Sequence, residues 1–375
     1  MKQEVLTATS DYRELKDWLT RNNIRKFLLV CDNSLQFLRI KHFMDELTEH
    51  TGIEIVKFDK FQPNPLYESV VEGVRLLRKE NCQAIIAVGG GSAIDVAKCI
   101  KLYSNMELDD GTEQKNYLMQ TIIPNDMLLL AVPTTAGTGS EATRYAVIYY
   151  KDVKQSVTDY SIIPSTVLLD SSALKSLPIY QKKSTMMDAL CHSIESFWSV
   201  NSTEESKVYS RAALQSILKN MKGYLDNDDV ANEEMLIAAN TAGRAINITQ
   251  TTAGHAMCYK LSSIYGIAHG HAAAMVDVKL FPWMIDHTDK CIDPRGERYL
   301  IDIFNEIASA MGCQNAKEAA EKLQNIYDGL ELRKPEPEDN DFDILKTSVN
   351  PVRLKNNPVS LDTESINMIY HSILA

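Results

Sequence analysis

An apolar run that leads directly into three glycines constrains the fold of this chain more than any other feature of its sequence. The run is Ala84 to Val88, Gly89 to Ser92 follow it, and helical periodicity begins again at Ala93. This order predicts a buried strand, a tight turn and a helix whose free backbone N–H groups and positive dipole end can bind a phosphate. The turn is neither a GxGxxG fingerprint, since Ile94 occupies the position of the last glycine, nor a Walker P-loop. A tight turn without a ligand explains the three glycines alone equally well.

Strand-like and helix-like segments alternate through the first half of the chain. Short apolar runs predict four strands, at 26–31, 53–58, 84–88 and 127–132. Apolar residues spaced near the helical period predict helices at 35–50 and 67–81. Because strands separated by helices build a parallel sheet from βαβ units, we expect ligands at the carboxyl ends of these strands.

The strand signal ends near Pro178, and only helical patterns follow it. They predict helices at 185–200, 206–225, 232–247, 254–265, 269–285 and 298–312. We therefore expect an α/β N-terminal domain with a parallel sheet over residues 1–178, which would bind a nucleotide. An all-α C-terminal domain over residues 179–375 would follow it.

The net charge and the distribution of apolar residues exclude two classes of partner. A net charge of −11 on 375 residues leaves no global positive field for phosphate backbones, so nucleic acid is not expected as the main partner. The N-terminus lacks the apolar core of a signal peptide, and no stretch reaches about 18 apolar residues. We therefore expect a cytoplasmic protein without a membrane partner.

A second loop, rich in hydroxyl groups, follows the predicted strand at 127–132. It contains Thr134, Thr135 and Thr138, whose hydroxyls suit the phosphate and ribose oxygens of a nucleotide better than they suit a core. Asp32 ends the strand at 26–31, where a carboxylate accepts hydrogen bonds from a ribose and repels a 2′-phosphate. Together these features favour a site for NAD(H) rather than NADP(H). An ordinary turn residue or helix cap is the alternative for Asp32.

A helical pattern in the second half places an acidic and an imidazole side chain on one face. Asp188 and His192 are four residues apart, which stacks them on one side of a helix. His255, His269 and His271 follow in segments rich in alanine and glycine. A carboxylate with several imidazoles suits Fe²⁺ or Zn²⁺ and leaves room for a substrate oxygen. A single histidine would more often be a core residue, but the clustering favours a metal site.

The segments GGGSAIDVAK, TTAGTGSE, MDALCHSIE and GHAMCYKL with GIAHGH resemble, in order and spacing, the iron-containing (group III) alcohol dehydrogenase family over nearly the whole chain. The resemblance implies the dehydroquinate-synthase-like architecture: a dinucleotide-binding domain, a helical metal-binding domain and a cleft for hydride transfer between them. It also implies a homodimer. The family's ligands of one divalent metal fall on Asp188, His192, His255 and His269. The cofactor positions fall on Asp32, Gly89, Gly90, Gly91, Ser92, Asp95, Thr134, Thr135 and Thr138.

The sequence departs from the family pattern at one position that matters for the chemistry. Many members carry a histidine four residues after the one matched by His255, where this chain has Tyr259. That histidine is usually assigned to a proton relay. We therefore expect Tyr259 or His271 to pass the proton, although a phenol with its ordinary pKa of about 10 would need help from the metal.

A narrower resemblance is to the phosphonoacetaldehyde reductase (hydroxyethylphosphonate dehydrogenase) branch. It is carried by MDALCHSIESFWSVNST, by the HGH of the late tract and by the closing VNPVRLKNNPVSL. The branch implies reduction of phosphonoacetaldehyde to 2-hydroxyethylphosphonate. A phosphonate needs cations, for which Lys183, Arg244 and Lys260 are candidates beside the predicted ligands. Each of these three is individually more typical of a solvated or salt-bridged residue.

Other functions are compatible with the same motifs. A dehydrogenase for small neutral alcohols or diols is the nearest alternative. A lyase of the dehydroquinate-synthase type, which reduces and reoxidises NAD in each cycle, is the alternative from another class. A non-catalytic relic is disfavoured because all four implied ligands are present.

Overall fold

The computed structural model describes residues 3–338 and 340–374, which fall into two compact units. Within the described residues, the first unit comprises 3–135 and 140–177, and the second comprises 136–139, 178–338 and 340–374. Met1, Lys2, Asp339 and Ala375 belong to the predicted domain ranges but lie outside the described residues.

The first unit has the predicted α/β architecture. Its described residues form the strands β1 (Glu4–Thr7), β2 (Lys26–Cys31), β3 (Glu54–Phe58), β4 (Ala84–Gly89), β5 (Leu128–Pro133), β6 (Tyr145–Tyr150), β7 (Val153–Thr158) and β8 (Thr166–Leu169). The helices of this unit are α1 (Arg13–Arg21), α2 (Arg39–Thr51), α3 (Tyr67–Lys79) and α4 (Gly91–Tyr103). Six strands build one sheet in the order β1-β8-β5-β4-β2-β3, in which every neighbouring pair is parallel.

The sheet is apolar on both faces, which explains why its central strands are continuous apolar runs. All six residues of β4 are buried. Ile85 and Ala87 belong to the apolar cluster on one face, whereas Ala84, Ile86 and Val88 belong to the cluster on the other. The strand therefore contributes alternate side chains to two cores, as strand geometry requires.

A separate antiparallel hairpin, β6–β7, was not predicted from the sequence. Its two-residue turn consists of Lys151 and Asp152, both of which have positive φ angles, 50° and 60°. This is the conformation of a type I′ hairpin turn, for which Asn-Gly or Asp-Gly is the usual signal. Lys-Asp carries that signal only weakly, which explains why the sequence did not reveal the hairpin.

The second unit is helical throughout its described residues, as predicted. Its helices are α5 (Ile179–Trp198), α6 (Glu204–Leu225), α7 (Asp229–Thr249), α8 (Ala253–Tyr265), α9 (His269–Asp286), α10 (Glu297–Ala310), α11 (Ala316–Gly329), α12 (Asp341–Ser348), α13 (Pro351–Leu354) and α14 (Thr363–Leu374). α5 is buried along most of its length and packs against α6, α7 and α9. None of the helices in the described ranges is long and apolar enough to cross a membrane.

The short segment Ala136–Gly139 packs with the helical unit, although the sequence around it belongs to the α/β unit. A Cβ placed on Gly137 would lie 2.7 Å from Cβ of Thr185 in α5. Gly139 has a φ of 59° and faces the backbone of Gly243 in α7. Glycine is required at both positions because any larger side chain would collide with a helix.

Candidate metal centre and cofactor loops

Helix α5 aligns three ionisable side chains on one face. Asp188 and His192 are one turn apart, and Glu195 follows one turn later. All three are buried, although each is an expensive side chain to remove from water. A buried row of this kind needs partners that compensate for the lost hydration, and these come from α8 and α9.

Histidines from α8 and α9 complete the cluster. Nε2 of His255 lies 3.3 Å from Oδ1 of Asp188, and Nε2 of His269 lies 4.0 Å from the same oxygen. Ligand atoms of these three residues all lie within 4.8 Å of one another. The ring of His192 stacks on the ring of His255, with 4.4 Å between centroids. Three of the four residues that the resemblance implies as ligands therefore bring donor atoms together in the helical unit, and the ring of His192 lies against one of them.

The geometry and chemistry of this cluster fit a divalent metal. Donor atoms bonded to one metal at about 2.0–2.2 Å are themselves roughly 3–4 Å apart, which matches the two distances to Asp188. One carboxylate and three imidazoles form a donor set that suits Fe²⁺ or Zn²⁺. Nδ1 of His192 is buried without a hydrogen-bond partner of normal geometry among the described residues, which is uncommon for a buried imidazole nitrogen.

The protonation states of Asp188 and His192 also suit a bound cation. Burial raises the pKa of Asp188, but His192, His255 and His269 together lower that pKa below its usual range, so Asp188 is a carboxylate. Burial lowers the pKa of His192 to about 4, although Asp188 opposes this shift, so its imidazole is neutral. A neutral imidazole and an ionised carboxylate are the forms that bind metals.

Glu195 is a site residue that the sequence analysis did not single out. Its Oε1 accepts a hydrogen bond from Nδ1 of His255, and its Oε2 accepts bonds from the backbone N and Oγ1 of Thr252 at 2.5 and 2.6 Å. Trp198 donates to Thr252 in turn. Burial lowers the pKa of His255, but Glu195 and Asp188 outweigh burial and raise that pKa to about 10, so a metal bound at Nε2 would displace a proton from this ring. Glu195 thus fixes the orientation of His255 and places a negative charge beside the candidate metal site.

One side of the cluster is accessible. The side chain of His269 is 38% exposed, whereas those of Asp188 and His255 are buried. Tyr259 stacks on the accessible His269 ring, with 5.2 Å between centroids and an interplanar angle of 22°. The hydroxyl of Tyr259 accepts a hydrogen bond from Nη1 of Arg353 at 2.8 Å. The partly exposed imidazole of His269 is therefore flanked by a phenol, and that phenol is flanked by a guanidinium.

His271, the second candidate for the proton relay, is enclosed by two tyrosines. Its Nδ1 lies 3.2 Å from the hydroxyl of Tyr180, and its Nε2 lies 3.2 Å from the hydroxyl of Tyr327. Burial lowers the pKa of His271 to about 4. Both ring nitrogens are thus engaged by phenols, whereas Tyr259 contacts a ligand candidate directly.

The three cations predicted to bind a phosphonate differ in their surroundings. Nζ of Lys183 donates to the carbonyl of Leu330 at 2.7 Å, which is the carbonyl just after helix α11. Arg244 and Lys260 are half-buried on α7 and α8. Lys183 is therefore engaged in joining two parts of the helical unit.

The glycine and threonine loops of the first unit meet at the carboxyl ends of β4 and β5. Gly90 is the N-terminal cap of α4, and a Cβ on Gly90 would lie 3.5 Å from the side chain of Thr135. The backbone N of Thr134 donates to the carbonyl of Gly89 at 3.1 Å. The accessible turn and the first N–H groups of α4 form the arrangement that binds phosphate at helix N-termini. Thr138, by contrast, lies in the segment that packs with the helical unit.

Asp32 lies beside this turn. Its Oδ1 accepts a hydrogen bond from the backbone N of Ser34 at 2.8 Å, so it caps the turn that follows β2. A Cβ on Gly89 would lie 3.4 Å from Oδ2 of Asp32, so this oxygen faces the glycine turn. The carboxylate is therefore both a cap and a hydrogen-bond acceptor directed toward the candidate phosphate site.

Asp95 is engaged within the first unit. Its Oδ1 accepts a bond from Oγ of Ser140 at 2.6 Å, and its Oδ2 accepts one from the backbone N of Val147 at 2.9 Å. The buried Nζ of Lys98 donates to Ser140 as well, at 3.1 Å. Asp95 therefore connects α4 to the loop before β6, which would fix the shape of the cofactor loops.

Replacing Gly270 with alanine is expected to weaken metal binding and destabilise the helical unit, although alanine favours helices. The added Cβ would lie 2.6 Å from Cβ of Asp188, so Asp188 or the first turn of α9 must move. Overpacking of this kind costs about 1–3 kcal/mol. Gly329→Ala is the matched control, because nothing lies within 4 Å of its added Cβ. Urea denaturation measures the effect, and equal midpoints for the two variants would contradict it.

The two units together carry the parts of a metal-dependent dehydrogenase: phosphate-type loops at the ends of parallel strands, and a carboxylate with three imidazoles among helices. Family models agree with this class. The model for iron-containing alcohol dehydrogenase matches residues 3–171, and the model for the C-terminal part of the Fe-containing alcohol dehydrogenase family matches residues 182–374. The chain belongs to the iron-containing alcohol dehydrogenase family, whose members are oxidoreductases.

Individual relatives act on different small molecules. The chain is 30% identical over 320 residues to the phosphonoacetaldehyde reductase of Streptomyces viridochromogenes, covering 80% of this chain and 79% of that protein. It is 30% identical over 369 residues to the choline dehydrogenase of Bacillus subtilis, covering 92% and 87% of the two chains. The crystal structure of sulfoacetaldehyde reductase from Bifidobacterium kashiwanohense in complex with NAD⁺ superposes with a TM-score of 0.85 at 23% identity, covering 100% and 97%. This last similarity supports the fold.

Proposed function

We propose that this enzyme is a metal-dependent reductase that uses NADH to reduce a small aldehyde, with phosphonoacetaldehyde as the substrate and 2-hydroxyethylphosphonate as the product. The observation that carries the proposal is the cluster of Asp188, His192, His255 and His269. The similarity to a phosphonoacetaldehyde reductase supports the choice of substrate.

The four clustered side chains would hold one Fe²⁺ or Zn²⁺. When bound, such a metal is a Lewis acid that polarises a carbonyl oxygen. Glu195 accepts the Nδ1 proton of His255 and so keeps the other nitrogen of that ring directed toward the cluster. The partial exposure of His269 gives the carbonyl group its route to the cluster.

The first unit would bind NAD(H). The nicotinamide supplies the hydride for the carbonyl carbon. The turn from Gly89 to Ser92 would present backbone N–H groups to the pyrophosphate, with Thr134 and Thr135 beside the turn, and Oδ2 of Asp32 would accept a hydrogen bond from the ribose. Asp95 and Thr138 would shape this site or complete it.

Tyr259 is the favoured donor of the proton that converts the alkoxide product into an alcohol. Its ring contacts His269, and burial raises the pKa of Tyr259, so the phenol keeps its proton at neutral pH. The hydrogen bond from Arg353 uses the phenol oxygen as an acceptor and does not consume that proton. His271 remains the second candidate for this role.

An assay of NADH oxidation tests the proposed function. The purified protein is given phosphonoacetaldehyde, propionaldehyde, 3-hydroxypropionaldehyde or betaine aldehyde, with Fe²⁺ or Zn²⁺ added in turn. Metal-dependent, stoichiometric consumption of NADH with a preference for phosphonoacetaldehyde is expected. A preference for the neutral aldehydes would favour an alcohol or diol dehydrogenase. Product formation without net NADH consumption would favour the lyase alternative.

Replacing Asp32 with glycine should shift coenzyme use toward NADPH. The carboxylate repels a 2′-phosphate, and its removal eliminates both this repulsion and the acceptor for the ribose hydroxyl. We expect the ratio of kcat/KM for NADPH to that for NADH to rise at least about tenfold, which corresponds to about 1.4 kcal/mol. Asp59→Gly, near the end of the neighbouring strand β3, is the control. An unchanged ratio in the Asp32 variant would leave Asp32 as a turn cap only.

A further inference from the structure

Arg353 lies at the end of a ring stack that begins at the ligand candidate His269. Its Cζ is 5.0 Å from the centroid of the Tyr259 ring, and its Nη1 donates to the Tyr259 hydroxyl at 2.8 Å. That ring stacks on His269 at 5.2 Å. A single aromatic ring therefore separates a guanidinium from an imidazole of the metal cluster.

The described residues include no acidic partner for Arg353. In the part of the chain that the structure describes, its guanidinium contacts Tyr259 through the hydrogen bond and the ring, and no carboxylate pairs with it. Arg295 differs, since its guanidinium pairs with Asp293. Arginine has five N–H donors, and the hydrogen bond to Tyr259 uses only one of them. Four N–H donors of a half-buried cation are thus available beside the Tyr259 ring, which stacks on His269.

The local sequence fixes Arg353 in this position. Helix α13 begins with Pro351, whose missing N–H costs nothing at a first helical position. Asn350 caps the turn, because its side chain accepts from the backbone N of Val352 at 2.9 Å. α13 packs on α8, the helix that carries His255 and Tyr259. The guanidinium is thus presented from a capped turn that contacts the metal-site helix, rather than from a long loop.

We propose that Arg353, oriented by Tyr259, binds the anionic end of the substrate, so that the enzyme selects aldehydes carrying a phosphonate or sulfonate close to the carbonyl. The inference rests on the proposed function, because the carbonyl must react at the metal cluster. It replaces Lys183, Arg244 and Lys260 as the principal cations for that anion.

The distances suit a short substrate with two functional ends. The two ring separations limit the distance between Cζ of Arg353 and the His269 centroid to about 10 Å. A two-carbon aldehyde directed at the cluster, with an oxyanion about 2.8 Å from the guanidinium nitrogens, has this scale. The planar fork of arginine binds two oxygens of a phosphonate or sulfonate at once. The same positive charge opposes a substrate with a quaternary ammonium group, such as choline.

Kinetics with a matched pair of aldehydes tests this assignment. Arg353→Ala is expected to lower the ratio of kcat/KM for phosphonoacetaldehyde to that for propionaldehyde by about tenfold or more, mainly through KM, because a hydrogen-bonded ion pair is lost. Arg353→Lys should give an intermediate ratio, since it keeps the charge but loses the fork. Lys355→Ala removes the same charge two residues away and should leave the ratio unchanged. An equal loss in the Lys355 and Arg353 variants would overturn the proposal.

A binding measurement provides a readout that does not depend on turnover. Calorimetry with the metal-loaded protein is expected to give Kd values for 2-hydroxyethylphosphonate and 2-hydroxyethanesulfonate that rise about tenfold or more in Arg353→Ala. Comparison of the two ions distinguishes a phosphonate site from a sulfonate site. If the wild-type protein binds these anions through Arg353 but reduces no aldehyde, the proposed function fails and the anion site stands. Unchanged Kd values in Arg353→Ala, or discrimination lost in Arg244→Ala instead, would overturn the anion site.

Discussion

Asp188→Ala and His269→Ala should each lose the bound metal and the activity together. Oδ1 of Asp188 lies 3.3 Å from Nε2 of His255 and 4.0 Å from Nε2 of His269, so one carboxylate oxygen is close to both imidazoles. Its removal leaves buried histidines without the carboxylate that compensates for a cation's charge. Loss of an outer partner typically costs about 10–100-fold in metal affinity or activity, and loss of a ligand should cost more.

Metal content per chain and kcat/KM are measured on the same preparations. Thermal unfolding with and without added metal supplies a second readout, because a ligand that binds only the folded state raises its stability. This metal-dependent stabilisation should vanish in both variants. His42→Ala is a suitable control, since the side chain of His42 is 80% exposed. Full turnover by a metal-stripped Asp188→Ala/His269→Ala double variant would refute the ligand set.

Glu195→Gln is expected to weaken metal binding by about 10–100-fold while leaving the protein folded. The substitution keeps the size of the side chain but removes its charge and one acceptor. Glu195 accepts from His255 on one oxygen and from Thr252 on the other. A glutamine amide has only one oxygen, so it cannot accept from His255 and Thr252 with two separate atoms, and it loses the hydrogen bond to one of them.

Excess metal should restore much of the activity of Glu195→Gln, because every proposed ligand is still present. Titration with Fe²⁺ or Zn²⁺ against kcat/KM checks this, and Glu233→Gln, at an exposed position on α7, serves as the control. If activity stays low when the site is saturated with metal, Glu195 contributes to catalysis in a way other than orienting His255.

The fold class could be predicted because it depends on local patterns. The central strands β2, β4 and β5 are apolar runs with helices between them, and each lies within one or two residues of its predicted position. The strands that were missed have weak local signals. β1 and β8 are only four residues long, and they pair in register with each other and, through β8, with β5. Such pairing between distant segments cannot be identified from the residues of either segment alone.

The candidate site, too, could be predicted from the sequence only in part. Asp188 and His192 could be placed together because helical periodicity fixes their spacing. His255 and His269 were assigned through the family resemblance, because their distance from Asp188 depends on how three helices pack. The start of α5 was predicted at residue 185, but it begins at Ile179, directly after Pro178. A proline just before a first turn is compatible with an earlier start, and this was the available signal.

Glu195 and Arg353 show what sequence reasoning could not reach. Glu195 lies seven residues after Asp188, a spacing that places it on the same helix face, but its role depends on contact with His255. Arg353 is separated from Tyr259 by 94 positions, and neither belongs to a spacing pattern that would connect them. Both roles follow from tertiary contacts, which is why only the structure revealed them.

The inclusion of Ala136–Gly139 in the helical unit limits how this protein can be divided. A fragment that starts at Pro178 would lack these four residues, and the surfaces of Thr185 and Gly243 that they cover would face water. The helical unit is therefore built from two segments that are separated along the chain by part of the first unit. Truncation, separate expression or exchange of the C-terminal half with that of another protein would have to supply this short peptide from elsewhere.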